Sequence, residues 1–312
     1  MTSPGAQLSK LPPASGRAGL RGAIASEFTK IRSVRSTYWT LAALLIVSIG
    51  IGIAICAGTA ANMTNNPGNK AGFDATQASL GAFFEIGQLI IAVLGAMVIT
   101  SEYSTGMIRT SLTAMPRRGV VYAAKAIVFT TVTLIVSLVT SFVAFFVGQA
   151  LLSSHGVAAS LFHTVTIPAN ANVHCTGGGP GRGPQGCTAT FFGTDVIHPS
   201  AVLVAVIGTA LFVTIVAIIS FGVGAIVRHT AGTISIVIAT LFIIPILEQA
   251  LPDNWRWDIM RFLPDAANQV VSVTVGPGNM HLWSAWPQLG VTALWAAVLL
   301  TIGAYLFRKR DA

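Results

Sequence analysis

The chain has 312 residues, of which 53% are hydrophobic and only 9% charged, with a formal net charge of +8 and a mean hydropathy of +0.74. Soluble domains carry roughly 25% charged residues, so this composition excludes a cytosolic enzyme, a secreted disulfide scaffold and a disordered chain. The charges are also bunched: none falls between Arg35 and Lys70, Lys125 and Arg182, Asp195 and Arg228, or Asp265 and Arg308. About 20 apolar residues cross a bilayer as helix, so each gap holds at least one crossing. The sequence reads as a polytopic, all-α membrane protein.

Residues 1–16 contain Pro4, Pro12 and Pro13 with several Ser and Gly, and read as a disordered lead. Residues 17–37 then form an amphipathic stretch, with Leu20, Ile24, Phe28 and Ile31 on one helical face. Arg21, Glu27, Lys30 and Arg32 lie largely elsewhere around the wheel. Such a helix can rest in the membrane interface, apolar side down; the plainer reading is a basic flank of the first span. Six membrane spans are predicted within the domain 38–312, at 38–61, 80–100, 123–152, 200–227, 231–251 and 289–307. The first has too long a polar lead and too long an apolar stretch for a signal peptide. Cys56 follows the bulky Ile55, which argues against a lipoprotein cleavage site.

The connection 101–122 is punctuated by Gly106 and Pro116, between which Met107, Ile108, Leu112 and Met115 fit one side of a short helix. The next connection on the same side is only Arg228-His229-Thr230, a tight turn. Two connections on the other side are long, 153–199 and 252–288. The second carries Trp255, Trp257, Phe262, Trp283 and Trp286, aromatics suited to the water–lipid boundary. Its prolines at 252, 264 and 287 suggest short helices that dip partway into the membrane.

With the N-terminus in the cytoplasm, the 18 basic residues divide 14 inside to 4 outside, the asymmetry of the positive-inside rule. The basic excess therefore reports orientation and not a nucleic-acid partner. Both termini are expected in the cytoplasm, in a plasma (inner) membrane whose lipid is the only surface the charge pattern implies.

The Gly-Lys pair that ends a phosphate-binding loop occurs nowhere in the chain. The run Gly177-Gly178-Gly179-Pro180-Gly181-Arg182-Gly183-Pro184 lacks the lysine and is broken by proline, so it reads as a flexible outer loop. Nucleophile elbows, His-Glu-x-x-His and paired-Asp motifs are absent, and no His or Asp lies well inside an inferred span. No catalytic residue, metal site or cofactor is assigned to this chain. Cys175 and Cys187 share the long outer segment, where a disulfide is the first reading. Free thiols, or a zinc site with His163, His174 and His198, are the alternatives.

Glu85, in Phe83-Phe84-Glu85-Ile86-Gly87-Gln88, is the one acidic residue set well into a predicted span. A charge at lipid depth costs about 2.5–3.5 kcal/mol on insertion scales, so it needs a cavity or a partner. Gln88 lies three residues on, nearly the same face. Either the two line a substrate pathway, or Glu85, about a turn and a half from the outer end of that span, snorkels outward or is protonated.

The run Ser101-Glu102-Tyr103-Ser104-Thr105-Gly106-Met107-Ile108-Arg109, followed by Pro116-Arg117-Arg118 and Lys125, resembles the inner loop of ABC-2 type transporter permeases. The segment Glu27-Phe28-Thr29-Lys30-Ile31-Arg32-Ser33-Val34-Arg35 is similar to the N-terminal segment of actinobacterial members. The resemblance implies a membrane subunit that pairs with a second permease, as a homodimer or heterodimer, above separate ABC ATPase subunits. ATP and Mg would then be bound by the ATPase and not by this chain. It implies that Glu102, Gly106, Arg109 and Pro116 belong to a cytoplasmic coupling helix, and that 17–37 is the interfacial helix. The insertion 153–199 exceeds the family's usual length there. An ion-gradient-driven transporter, or a non-transporting membrane sensor or immunity protein, are the competing readings. The first would want several ionisable groups near the midplane, and only Glu85 approaches that.

Overall fold

A computed structural model describes residues 19–65, 74–114, 117–154, 165–167, 174–175, 187–188, 195–197, 201–264 and 285–309. The first 16 residues, Pro116, Lys70, the glycine-rich run and the part of the aromatic segment around Trp283 lie outside these. Among the described residues, six helices are long and apolar enough to cross a membrane. They run Thr37–Asn65, Ala75–Ser104, Arg118–Ser153, Val202–Val227, Thr230–Leu247 and Trp286–Lys309.

In chain order, α1 (Leu20–Ser33) leads into α2 (Arg35–Asn65), α3 (Ala75–Ser104), α4 (Met107–Ala114) and α5 (Arg118–Ser153). Then come α6 (Ala201–Val227) and a fifth span built of α7 (Thr230–Ile238), a π-helical turn Ala239–Ile243 and α8 (Ile244–Glu248). The short α9 (Asp253–Met260) precedes the last span, α10 (Ala285–Lys309). Several spans outrun their predicted bounds because a helix continues into the interface past its apolar stretch. The second begins at Ala75 and not at residue 80, where Asp74 caps it by accepting from Thr76 N at 2.9 Å and Gln77 N at 3.0 Å. Glu85 thus sits ten residues inside its helix, nearly three turns deep.

The long outer segment adds β structure that the apolar pattern did not show. β1 (Val165–Ile167) pairs antiparallel with β4 (Asp195–Ile197), and β2 (His174–Cys175) with β3 (Cys187–Thr188). Strands of two or three residues are too short for a period-2 signal to register. The expected short helices before the last span reduce, among the described residues, to α9. The chain after it is tied to α10: Trp295 Nε1 donates to Phe262 O at 2.8 Å and Thr292 Oγ1 to Pro264 O at 3.1 Å.

α3 and α6 form the centre of the bundle, and α2, α5, α7 and α10 pack around them. Phe84 of α3 stacks on Phe212 of α6 with ring centroids 4.6 Å apart. Tyr122 of α5 lies 5.4 Å from both Phe221 and Phe307. Leu, Ile and Trp side chains on α2, α5, α8 and α10 point outward, as lipid-facing surfaces require. Lipid offers no hydrophobic drive between helices, so close backbone approach and polar contacts hold them together. Ser141 Oγ donates to Val206 O at 2.7 Å, and Gln149 Nε2 to Ala75 O and Ser79 Oγ, each at 3.0 Å. A Cβ on Gly95 would fall 2.6 Å from Ala217 O and 3.0 Å from Ser220 Cβ, whereas one on Gly50 would meet nothing within 4 Å. Gly95→Ala is therefore expected to destabilise the bundle by about 1–3 kcal/mol through overpacking of α3 on α6. Gly50→Ala should leave the melting temperature of the purified protein unchanged or raised, and thermal unfolding of the two variants checks both.

Candidate functional site

Three elements meet at the end of the bundle that carries α4. α1 and α2 are separated by one residue, Val34, which leaves helical geometry at φ −84°, ψ 109°. α3 stops at a left-handed glycine, Gly106, with φ +71°, a conformation that costs glycine little and other residues more. That turn lets α4 start at once, at Met107. The short helix expected between Gly106 and Pro116 is present, eight residues long and carrying Arg109. It has α3 on one side and α5 on the other in the chain.

At the root of this loop four charges converge. Lys125 Nζ, on α5, donates to Glu27 Oε2 of α1 at 2.6 Å and to Glu102 Oε1 of α3 at 2.7 Å. Lys30 Nζ donates to Glu27 Oε1 at 2.8 Å and to Glu102 Oε1 at 3.2 Å. The ring is closed and neutral, with two carboxylates and two ammonium groups. Side-chain exposure is 5% for Lys125, 7% for Glu27 and 9% for Glu102, against 29% for Lys30. Charge-assisted bonds at these lengths are the strong kind, and burial makes each carboxylate depend on its lysines.

The electrostatics follow from the geometry. Burial alone would raise the Glu27 carboxyl, but Lys125 and Lys30 outweigh it and hold the group below its ordinary value. Burial pulls Lys30 down, and Glu27 with Glu102 more than reverses this, so the ammonium stands above its ordinary value. Glu27 thus contributes stability that is complete above the ordinary carboxylate value and is lost as pH falls through the lowered one. Lys30 contributes stability that is complete below the ordinary lysine value and is lost as pH rises through the raised one. Both are in force at neutral pH.

The sequence pattern placed Glu102 in the coupling segment without a partner; its partners are lysines. It also put Glu27 on the outer, polar side of an interfacial helix. In the structure Ala23 and Glu27 are buried while Leu20 and Phe28 are 44% and 52% exposed. α1 turns its acid into the protein and its apolar stripe outward, because the outside here is lipid and the inside holds a lysine. A signal was present: Lys125 lies two turns inside α5, and besides Asp311 the acids on that side of the membrane are Glu27 and Glu102.

The second turn on this side is seated against the same helix end. Arg228, at φ 60°, carries the chain between α6 and α7. Its guanidinium lies 4.8 Å from the Tyr103 ring centroid, and Nη2 donates to Leu306 O at 3.4 Å. Thr100 and Thr230 hydroxyls are 2.8 Å apart. The end of α3 is therefore held by α1, α5 and α7, and Arg228 links it to α10.

The other predicted pair comes together far from this cluster. Gln88 Nε2 donates to Glu85 Oε2 at 3.4 Å. Gln88 is 1% exposed and Glu85 is exposed on the flank of α3. The backbone register places Cys175 opposite Cys187 across β2 and β3. Among the described residues no group of three or more His, Cys, Asp or Glu is placed to hold a metal ion.

Residues 23–171 match the family described as ABC-2 family transporter protein. Over that segment the chain is similar to the ABC-2 transporter family. The segment takes in α1 from Ala23 through α5, and so the whole ion cluster, Gly106 and α4. No curated protein matches the chain. In this ABC-2 segment, Lys125 is the member with the least solvent and two carboxylates to answer. Lys125→Met should leave both carboxylates underpaired and cost about 3–5 kcal/mol. Lys30→Met, at the exposed edge, should cost about 1 kcal/mol or less. Adding Glu27→Gln to Lys125→Met should recover part of the loss, and chemical unfolding of the purified variants measures all three.

Proposed function

We propose that the chain is the permease subunit of an ATP-binding cassette exporter, pairing with a second permease and receiving motion from separate ATPase subunits through α4. The observation that carries this reading is the location of the ion cluster within the ABC-2 segment, at the root of α4. A lever transmits motion only if its base is held. Here the base is fixed to α1 and α5 by buried charge, while α4 itself follows the turn at Gly106. Displacing α4 would therefore shift α3, the central helix, against its neighbours. Export requires two packings of the spans, biased by the nucleotide state of the ATPase. Arg109 on α4 and Arg117 at the start of α5 suit acidic groups on an ATPase surface. In this orientation both termini and α4 are cytoplasmic, and the insertion 153–199 is outside.

The test is ATP-driven transport in vesicles with the ATPase subunit added, alongside a pull-down of that subunit. Glu102→Ala should lower transport and substrate-stimulated ATP hydrolysis several-fold while the protein still inserts. Arg109→Ala should weaken ATPase docking, and replacement of Lys70 should change neither readout. Wild-type behaviour in both the Glu102→Ala and Arg109→Ala variants would sink the coupling role.

The orientation carries a redox consequence. Residues directly opposite in an antiparallel pair have Cα atoms about 4.5–5.5 Å apart, within the span a disulfide needs. A Cys175–Cys187 bond is therefore proposed, facing an oxidising compartment. A membrane-impermeant maleimide applied to intact cells should label neither cysteine until a reductant is added, and both afterwards. Labelling without reductant removes the bond, and failure to label after reduction removes the outward placement.

A further inference from the structure

Glu85 stands apart from every other charge in the spans. α3 is 30 residues long, about 45 Å, and Glu85 lies about 15 Å below its outer end, within the apolar layer and well away from the ion cluster. Its neighbours Phe83, Phe84 and Gly87 are buried against other helices, but Glu85 is exposed. Among the described residues its carboxylate meets only the Gln88 amide, and no lysine or arginine stands within ion-pair distance. Gln88 is 1% exposed, and its Oε1 has no hydrogen-bond partner.

The surroundings leave room for an occupant. Thr100, which touches α7 through Thr230, is on the same side of α3 as Glu85 to within about 60°, roughly four turns lower. There α7 covers α3. Higher up, the fifth span passes through its π-helical turn, and Ile243, Ile246 and Leu247 are 51–65% exposed. Helix breaks of this kind recur at functional sites. The Glu85 flank of α3 is thus uncovered at the depth where its carboxylate stands.

The unpaired charge and the unpartnered buried atom are both acceptors. Gln88 Nε2 is used in donating to Glu85, which leaves Gln88 Oε1 and the carboxylate as acceptors. A matching ligand must donate hydrogen bonds and carry positive charge. In a second copy the basic residues at this end include Arg256 and Arg261, and Arg261 is already engaged by Asp258 of its own chain at 2.6 Å.

We propose that Glu85 and Gln88 form a binding site for an organic ammonium with an apolar body, and that the exported substrate is of this cationic class. The proposal rests on the permease reading for the word "substrate", but the binding site stands or falls by itself. The carboxylate supplies the charge, the Gln88 amide holds it in place, and the uncovered apolar flank of α3 receives the apolar part.

The test is equilibrium binding to the full-length protein in lipid nanodiscs without any ATPase, read by fluorescence anisotropy against empty discs. Rhodamine 123 is the cationic probe with amino donors, and fluorescein is its anionic counterpart on the same ring system. Wild type should bind rhodamine 123 at least tenfold more tightly than fluorescein. Glu85→Gln should weaken rhodamine 123 at least tenfold, Glu85→Asp should stay within threefold of wild type, and Gln88→Leu should lie between. Glu85 is exposed, so Glu85→Gln should elute and melt as wild type does. Equal affinity of Glu85→Gln and wild type for rhodamine 123 overturns the proposal. So does equal binding of the two dyes, or no binding of rhodamine 123 to wild type. Loss of ATP-driven transport with dye binding intact would instead count against the permease reading alone.

Discussion

A lysine two turns inside a membrane-spanning helix must be answered by negative charge, and that requirement organises one whole end of this protein. Lys125 draws Glu27 from the N-terminal helix and Glu102 from the end of the central one, and Lys30 completes the ring. Buried ion pairs are weak sources of net stability when compared with well-packed apolar groups. Their strength is directional: a carboxylate in this setting has few alternatives to its own lysine. The cluster therefore specifies which helices meet and at what depth, more than it contributes to how firmly they hold.

That specification is needed because apolar surface does not choose. In lipid, leucine against leucine and leucine against a lipid chain are nearly equivalent. α3 and α6 solve the problem at mid-depth with small residues, where Gly95 meets the Ala217 backbone and Gly224 lies against Ile99. At the α4 end, charge and cation–π contacts take over, with Arg228 resting on Tyr103. Packing fixes the middle of the bundle and electrostatics fixes its base. α4 hangs from that base by Gly106, so a force on α4 reaches the bundle centre through α3.

α3 consequently carries two unlike chemistries. Near its end, Glu102 is buried and answered by lysines of the same chain. Seventeen residues earlier, Glu85 is exposed and answered, among the described residues, only by an amide. The same residue type is structural where its partner is built in and recognitive where the partner must come from outside. In the proposed permease, one helix would end in the coupling loop and bear the recognition site, which is the simplest physical link between the two.

Much of this was legible in the sequence. Gaps in charge of more than thirty residues mark four of the six spans, because a bilayer admits few unpaired charges. The 14-to-4 basic split predicts an orientation, and Gly106 with the spacing of Met107, Ile108 and Leu112 marks the short helix after the second span. Other features needed the fold. The amphipathic pattern of α1 gave no hint that Glu27 faces inward, since periodicity sorts residues by face but does not say which face meets protein. Asp74 started α3 earlier than apolarity did, because a cap lies in the interface, beyond the hydrophobic stretch. The strand pairs of the outer segment are too short to leave a period. The ion cluster joins residues up to 98 positions apart, and no local pattern encodes a contact that distant. Sequence determined what must be satisfied, since charge and polarity belong to each residue; only the tertiary structure decided which residue satisfies it, since proximity belongs to the fold.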